Sequence, residues 1–168
     1  LASICDKDGN LFCYGHGRSI FDSNDNFAVN GDTICYDPYW ELWNYEGLNR
    51  GYRIFQGMIL LPFPGYRDSV FYMTLKYDHI NDVQTGVYWG IITGYKDGSR
   101  AKVVSKDNVI DHTFLGSGMT KAVRHANGRD WWIILISGDN VSYYIYKLDP
   151  LGLKLWWTQT LGKKQSGF

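Results

Sequence analysis

Residues 120–160 read TKAVRHANGRDWWIILISGDNVSYYIYKLDPLGLKLWWTQT, and this stretch decides the fold. Four runs, Thr120–His125, Trp131–Ser137, Val141–Leu148 and Leu153–Thr160, are rich in β-branched and aromatic residues. Between them stand Asn127-Gly128, Gly138-Asp139-Asn140 and Asp149-Pro150-Leu151-Gly152. Aromatic and β-branched side chains suit a pleated surface, whereas Asn, Asp, Gly and Pro suit turns. Asn-Gly between such runs is a strong hairpin signal, because both residues tolerate positive φ. As a two-residue loop it sets Ala126 opposite Arg129 and His125 opposite Asp130. The stretch predicts an up-and-down, four-stranded antiparallel meander.

The same reading extends outward. Met58–Leu61, Val70–Tyr77, Val87–Tyr95 and Ala101–Ser105 form a second set of four runs. Ala2–Cys5, Leu11–Tyr14 and Ser19–Phe21 form three runs of a similar unit that lacks its first strand, and Phe27–Val29 is one more short run. A four-stranded meander recurring every ~40–50 residues is the pattern of a β-propeller blade. The expected fold is therefore all-β: a partial propeller of about three blades filling residues 1–168. Blade one takes about 1–33, a loop insertion 34–55, blade two about 56–110 and blade three about 118–162, with 163–168 starting the next. Closed propellers need about 4–8 blades, so the reading expects a piece of a longer protein. In the insertion, one helical turn is expected near Tyr39–Glu46.

Composition agrees. The 168 residues include 7 Trp, 13 Tyr, 8 Phe and 19 Gly, and 15 Asp against only 2 Glu, Glu41 and Glu46. Asp, Asn and Gly serve turns and Glu serves helices, which argues against a helical bundle or coiled coil. The formal net charge is zero, which argues against a nucleic-acid partner held by phosphate neutralisation. The longest strongly apolar run, Trp131–Ile136, is far below the ~20 residues of a membrane-spanning helix. Membrane insertion is not expected. Three cysteines stand at 5, 13 and 35. An odd count leaves at least one thiol unpaired within the chain. A Cys5–Cys13 disulfide across the first hairpin and three buried free thiols both fit the spacing.

Five segments occur in a characteristic order: Ala2-Ser3-Ile4-Cys5-Asp6-Lys7-Asp8-Gly9-Asn10-Leu11-Phe12, Asn30-Gly31-Asp32, Gln56-Gly57-Met58, Leu61-Pro62-Phe63-Pro64-Gly65 and His125-Ala126-Asn127-Gly128-Arg129-Asp130-Trp131-Trp132. Together they resemble the N-terminal β-propeller region of large secreted proteins from the Bacteroidota, which often end in a type IX secretion sorting domain. The resemblance covers nearly the whole chain and departs from the family at Cys13 and at Ile34-Cys35-Tyr36. It implies a non-catalytic interaction or scaffold module, located outside the cell or on its surface, with a protein or glycan partner.

Candidate chemistry is sparse. His125 and Asp130 have the residue types of an acid/base pair, but no Ser or Cys nucleophile accompanies them. They read better, with Asn127, Gly128, Trp131 and Trp132, as a structural motif that fixes a hairpin. No catalytic constellation and no cofactor is expected. Asp6–Asn10 and Asp22–Asn26 resemble the start of calcium loops, yet an EF-hand needs Gly at position six and Glu at twelve. Leu11, Gly17, Phe27 and Thr33 stand there instead. These loops read as turns, with a loosely bound calcium as the alternative. Tyr39, Trp40, Trp43 and Tyr45, beside both glutamates, are the candidate ligand-binding residues, because such rings stack on sugars. They support the alternative of a carbohydrate-binding or glycoside-hydrolysing protein. In Trp131-Trp132 and Trp156-Trp157, strand alternation places one ring of each pair on each face.

Overall fold

The computed structural model describes residues 1–36, 40–41, 51–52, 54, 56–78, 83–96, 99–111 and 120–163. These form eleven strands in three antiparallel sheets. The first sheet holds β1 (Ala2–Cys5), β2 (Leu11–Gly15) and β3 (Ile20–Asp22). The second holds β4 (Met58–Pro62), β5 (Ser69–Asp78), β6 (Val83–Thr93) and β7 (Lys102–Asp111). The third holds β8 (Lys121–Arg124), β9 (Trp131–Ile136), β10 (Ser142–Asp149) and β11 (Gly152–Thr160). Strand order follows chain order in each sheet, as short hairpin connections require. Among the described residues no helix is long and apolar enough to cross a membrane. Trp40 and Glu41 have helical backbone where a helical turn is expected; the rest of 39–46 lies outside the described residues.

The expected run Phe27–Val29 is not a strand. It makes two isolated bridges, Phe27 to Phe21 and Val29 to Lys102. The Val29 amide donates to the Ala101 carbonyl and its carbonyl accepts from Val103, so this segment laces the first sheet to the edge of the second.

Two cores follow from the two-residue period of the strands. On β5, Val70 and Tyr72 face the first core, with Cys13, Ile20, Ile34 and Cys35 from the N-terminal unit. Phe71, Met73 and Leu75 face the second core, with Ile133, Leu135, Tyr146 and Leu148 from the third sheet. The central strand β5 is thus buried on both faces, and Val70–Leu75 reads as a nearly continuous apolar run for that reason. None of the three cysteines is in a disulfide: Cys5 is exposed, Cys13 and Cys35 are buried. Ile4 pairs with Cys13 and a bulge shifts Cys5 opposite Leu11, so the hairpin does not bring the two thiols together. Desolvation alone pushes the Cys13 thiol up to about 12, which keeps it protonated and unreactive.

Candidate functional site

The turn between β8 and β9 is built by one side chain. Asn127 Oδ1 accepts from the amides of Arg129 and Asp130, both at 3.0 Å, while its Nδ2 donates to Asp130 at 2.9 Å. Gly128, at φ +70°, supplies the left-handed residue this turn needs. The His125 amide donates to the Asp130 carbonyl at 2.8 Å, so these two residues do face each other. Ala126 and Arg129 do not pair as a two-residue loop requires. The Gly128 amide donates to the His125 carbonyl, and the loop is four residues long because the Asn127 side chain occupies the amides a tighter turn would use.

His125 and Asp130 form no acid/base couple. His125 Nδ1 accepts from the Asn127 amide at 3.1 Å, and its ring lies 5.1 Å from the Trp132 ring. The Asp130 carboxylate is wholly buried. It accepts from Arg129 at 2.7 Å and from Asn127, with Lys147 Nζ at 3.3 Å. Arg129 foremost, then Asn127 and Lys147, hold this carboxyl well below the usual range, so it stays ionised. It is a structural anion tying the turn to β10.

That turn leads into an open apolar face. Ile133 and Leu135 point into the second core, so Trp132 and Ile134 point away from it, and on β10 Ile145 does the same. Trp131 packs inward and donates its indole N–H to the Pro62 carbonyl at 3.1 Å, while Trp132 faces outward, as alternation predicts. Trp156 and Trp157 depart from the expectation. A bulge opposite Ile145/Tyr146 sets Leu155 against Tyr146 and Trp157 against Ile145. Trp156, the extra residue, meets Trp132 at 5.9 Å and Lys147 at 5.5 Å. Both indoles therefore lie on the outer face, 63% and 58% exposed. A bulge reverses alternation by one residue, and nothing in the local sequence announces it. The pairing of Trp156 with Trp132 was not legible.

Of the four aromatic-loop candidates, Trp40 is described and Tyr39, Trp43 and Tyr45 lie outside the described residues. Trp40 is buried, its indole N–H donating to the Arg18 carbonyl at 3.3 Å and its ring carrying the Arg18 guanidinium 4.1 Å from its centre. The two Asp-led loops share one design. Asp6 Oδ1 accepts the amides of Asp8 and Asn10, and Asp22 Oδ1 accepts those of Asn24 and Asn26. Both loops take a positive φ at the fourth residue, Gly9 and Asp25. They meet at a polar cleft of about 570 Å³ that also includes Tyr95 and Arg100. Arg100 bridges Asp22 and the Phe27 carbonyl, and Tyr95 donates to the Cys5 carbonyl, so these groups tie the two sheets together. Among the described residues no group of three or more His, Cys, Asp or Glu side chains is placed to hold a metal.

Comparison with known protein families, curated proteins and solved structures returned no match.

Proposed function

We propose that the chain is a non-catalytic interaction module, built as three blades of a β-propeller in a secreted or cell-surface bacterial protein. The observation that carries this reading is the outer face of the third sheet. Trp132, Ile134, Ile145, Trp156 and Trp157 present there the kind of surface that β5 buries on both of its own faces. Contiguous exposed apolar patches mark interaction surfaces. The partner that fits is another antiparallel sheet continuing the stack, because both sheet-to-sheet cores of this chain form between antiparallel sheets of three or four strands. The first sheet ends the stack similarly, with Tyr14, Phe21 and Phe27 stacked at 5.0 Å spacings. The extracellular setting rests on the sequence resemblance.

The test compares this chain with the full product of its gene. The Trp156 and Trp157 indoles, isolated by Trp→Phe replacement elsewhere, are expected to be quenched by acrylamide in the 168-residue chain and shielded in the longer protein. Equal quenching in both, or a gene that stops after Phe168, overturns the reading.

A further inference from the structure

A second cleft, of about 510 Å³, opens between the turn after β4 and the turn after β8. Three arginines line it, Arg67, Arg124 and Arg129, together with Phe63, Tyr66 and Trp131. Arg129 is satisfied by Asp130. Arg124 lies over the Trp131 ring, 5.1 Å from its centre, and has no carboxylate partner among the described residues. Arg67 has none either. Its neighbour Asp68 turns away, accepting the amides of Gly94 and Lys96. No carboxylate lines the cleft among the described residues, so in a chain of zero net charge this is a local excess of guanidinium. Guanidinium forks match planar oxyanions bidentately.

The floor is aromatic. Tyr66 leans on Phe63 at 5.1 Å and keeps 54% of its surface exposed. The indole N–H of Trp131 is fixed on the Pro62 carbonyl. Such a platform suits the apolar face of a pyranose ring. A peptide strand finds little of a ladder at these turns, because several of their amides are bonded internally. Tyr66 donates to Phe63, Ser69 to Tyr66, Gly128 to His125, and Arg129 and Asp130 to Asn127. Peptides that dock as strands need free backbone groups.

We infer that this cleft binds an acidic polysaccharide, its sugar-borne oxyanion held by Arg67 and Arg124 and its ring laid on Tyr66. The site lies between two described sheets and away from the Trp156 face, so it does not depend on the stack continuing.

Calorimetric titration of the whole chain tests it with four probes: a polygalacturonate oligomer, dextran sulfate, neutral dextran and polyglutamate. At least one acidic sugar is expected to bind, with affinity falling as salt rises. Preference between the first two tells carboxylate from sulfate. Arg67→Ala and Arg124→Ala, both changes of exposed side chains, should each weaken binding about tenfold, the loss of one charge-assisted contact. Tyr66→Ala should weaken the sugars and leave any residual polyglutamate signal unchanged. Circular dichroism checks the fold of each variant. No binding to either acidic sugar, neutral dextran or polyglutamate binding equally well, or full affinity in both arginine variants overturns the inference.

Discussion

Tyr72, at the centre of β5, offers a direct test of how the first core is built. Its side chain is wholly buried, and its hydroxyl has no hydrogen-bond partner among the described residues. Burial raises its pKa, foremost by desolvation, so the proton stays on. A buried hydroxyl without a partner costs about 1–3 kcal/mol. Tyr72→Phe removes that cost together with a single oxygen's packing, so a net gain of about 1 kcal/mol is expected. At this chain length that raises Tm by about 2–4 °C. Gly90, the cross-strand partner of Tyr72, explains the tight fit. A Cβ there would lie 2.5 Å from the Tyr72 hydroxyl and 2.1 Å from the Ser105 carbonyl oxygen. That oxygen belongs to the β7 backbone and has nowhere to turn, so Gly90→Ala should cost about 3 kcal/mol, the upper range for overpacking. In the double variant only the hydroxyl part of the clash is relieved, giving a coupling of about 1 kcal/mol. Urea unfolding of the four proteins completes the cycle. If Tyr72→Phe lowered stability by about 1 kcal/mol or more, or the cycle were additive, the account of this core would be wrong.

Two further outcomes follow from the turns. Asn127→Ala removes the acceptor for two amides, one of them that of buried Asp130. It should cost about 2 kcal/mol and is read by thermal denaturation; an unchanged Tm would show that the turn does not need its cap. Asp139 accepts from the Ser142 hydroxyl and from the amides of Val141 and Ser142, which pulls its pKa from 3.8 down to about 2. A folded-state pKa below the unfolded one contributes stability above about 3.8, lost as pH falls through about 2. Asp139→Asn should therefore flatten the fall of Tm across that window, and an identical slope in both proteins would refute the assignment.

Much of the fold was legible because strand periodicity and turn chemistry are local. The four runs between Thr120 and Thr160 match β8 to β11 within a residue or two at each end. The same holds for β1 to β6, apart from an earlier start of β6 at Val83. The run Ala101–Ser105 fell short because β7 continues to Asp111. Its polar middle, Ser105-Lys106-Asp107-Asn108, carries no alternation, and Asp107 takes a positive φ within a bulged register. The functional surfaces were less legible. Trp156 and Trp157 stood out by type, but their common face depends on a bulge in β11. Arg67, Arg124 and Arg129 are dispersed in sequence, and only the packing of the second sheet on the third brings their turns to one cleft.

The sequence by itself determined the order of the strands in the three sheets, their hairpin connections and the all-β character of the described residues. These depend on which residues tolerate a pleat and which tolerate positive φ, properties each residue carries with it. Tertiary structure decided which faces meet. Phe71 and Tyr72 look alike in the chain, yet one enters the second core and the other the first. It also decided that Asp130 is a buried structural anion, because Lys147 reaches it from the neighbouring strand. Burial and charge pairing are properties of what lies across the sheet, and no local pattern encodes the neighbour.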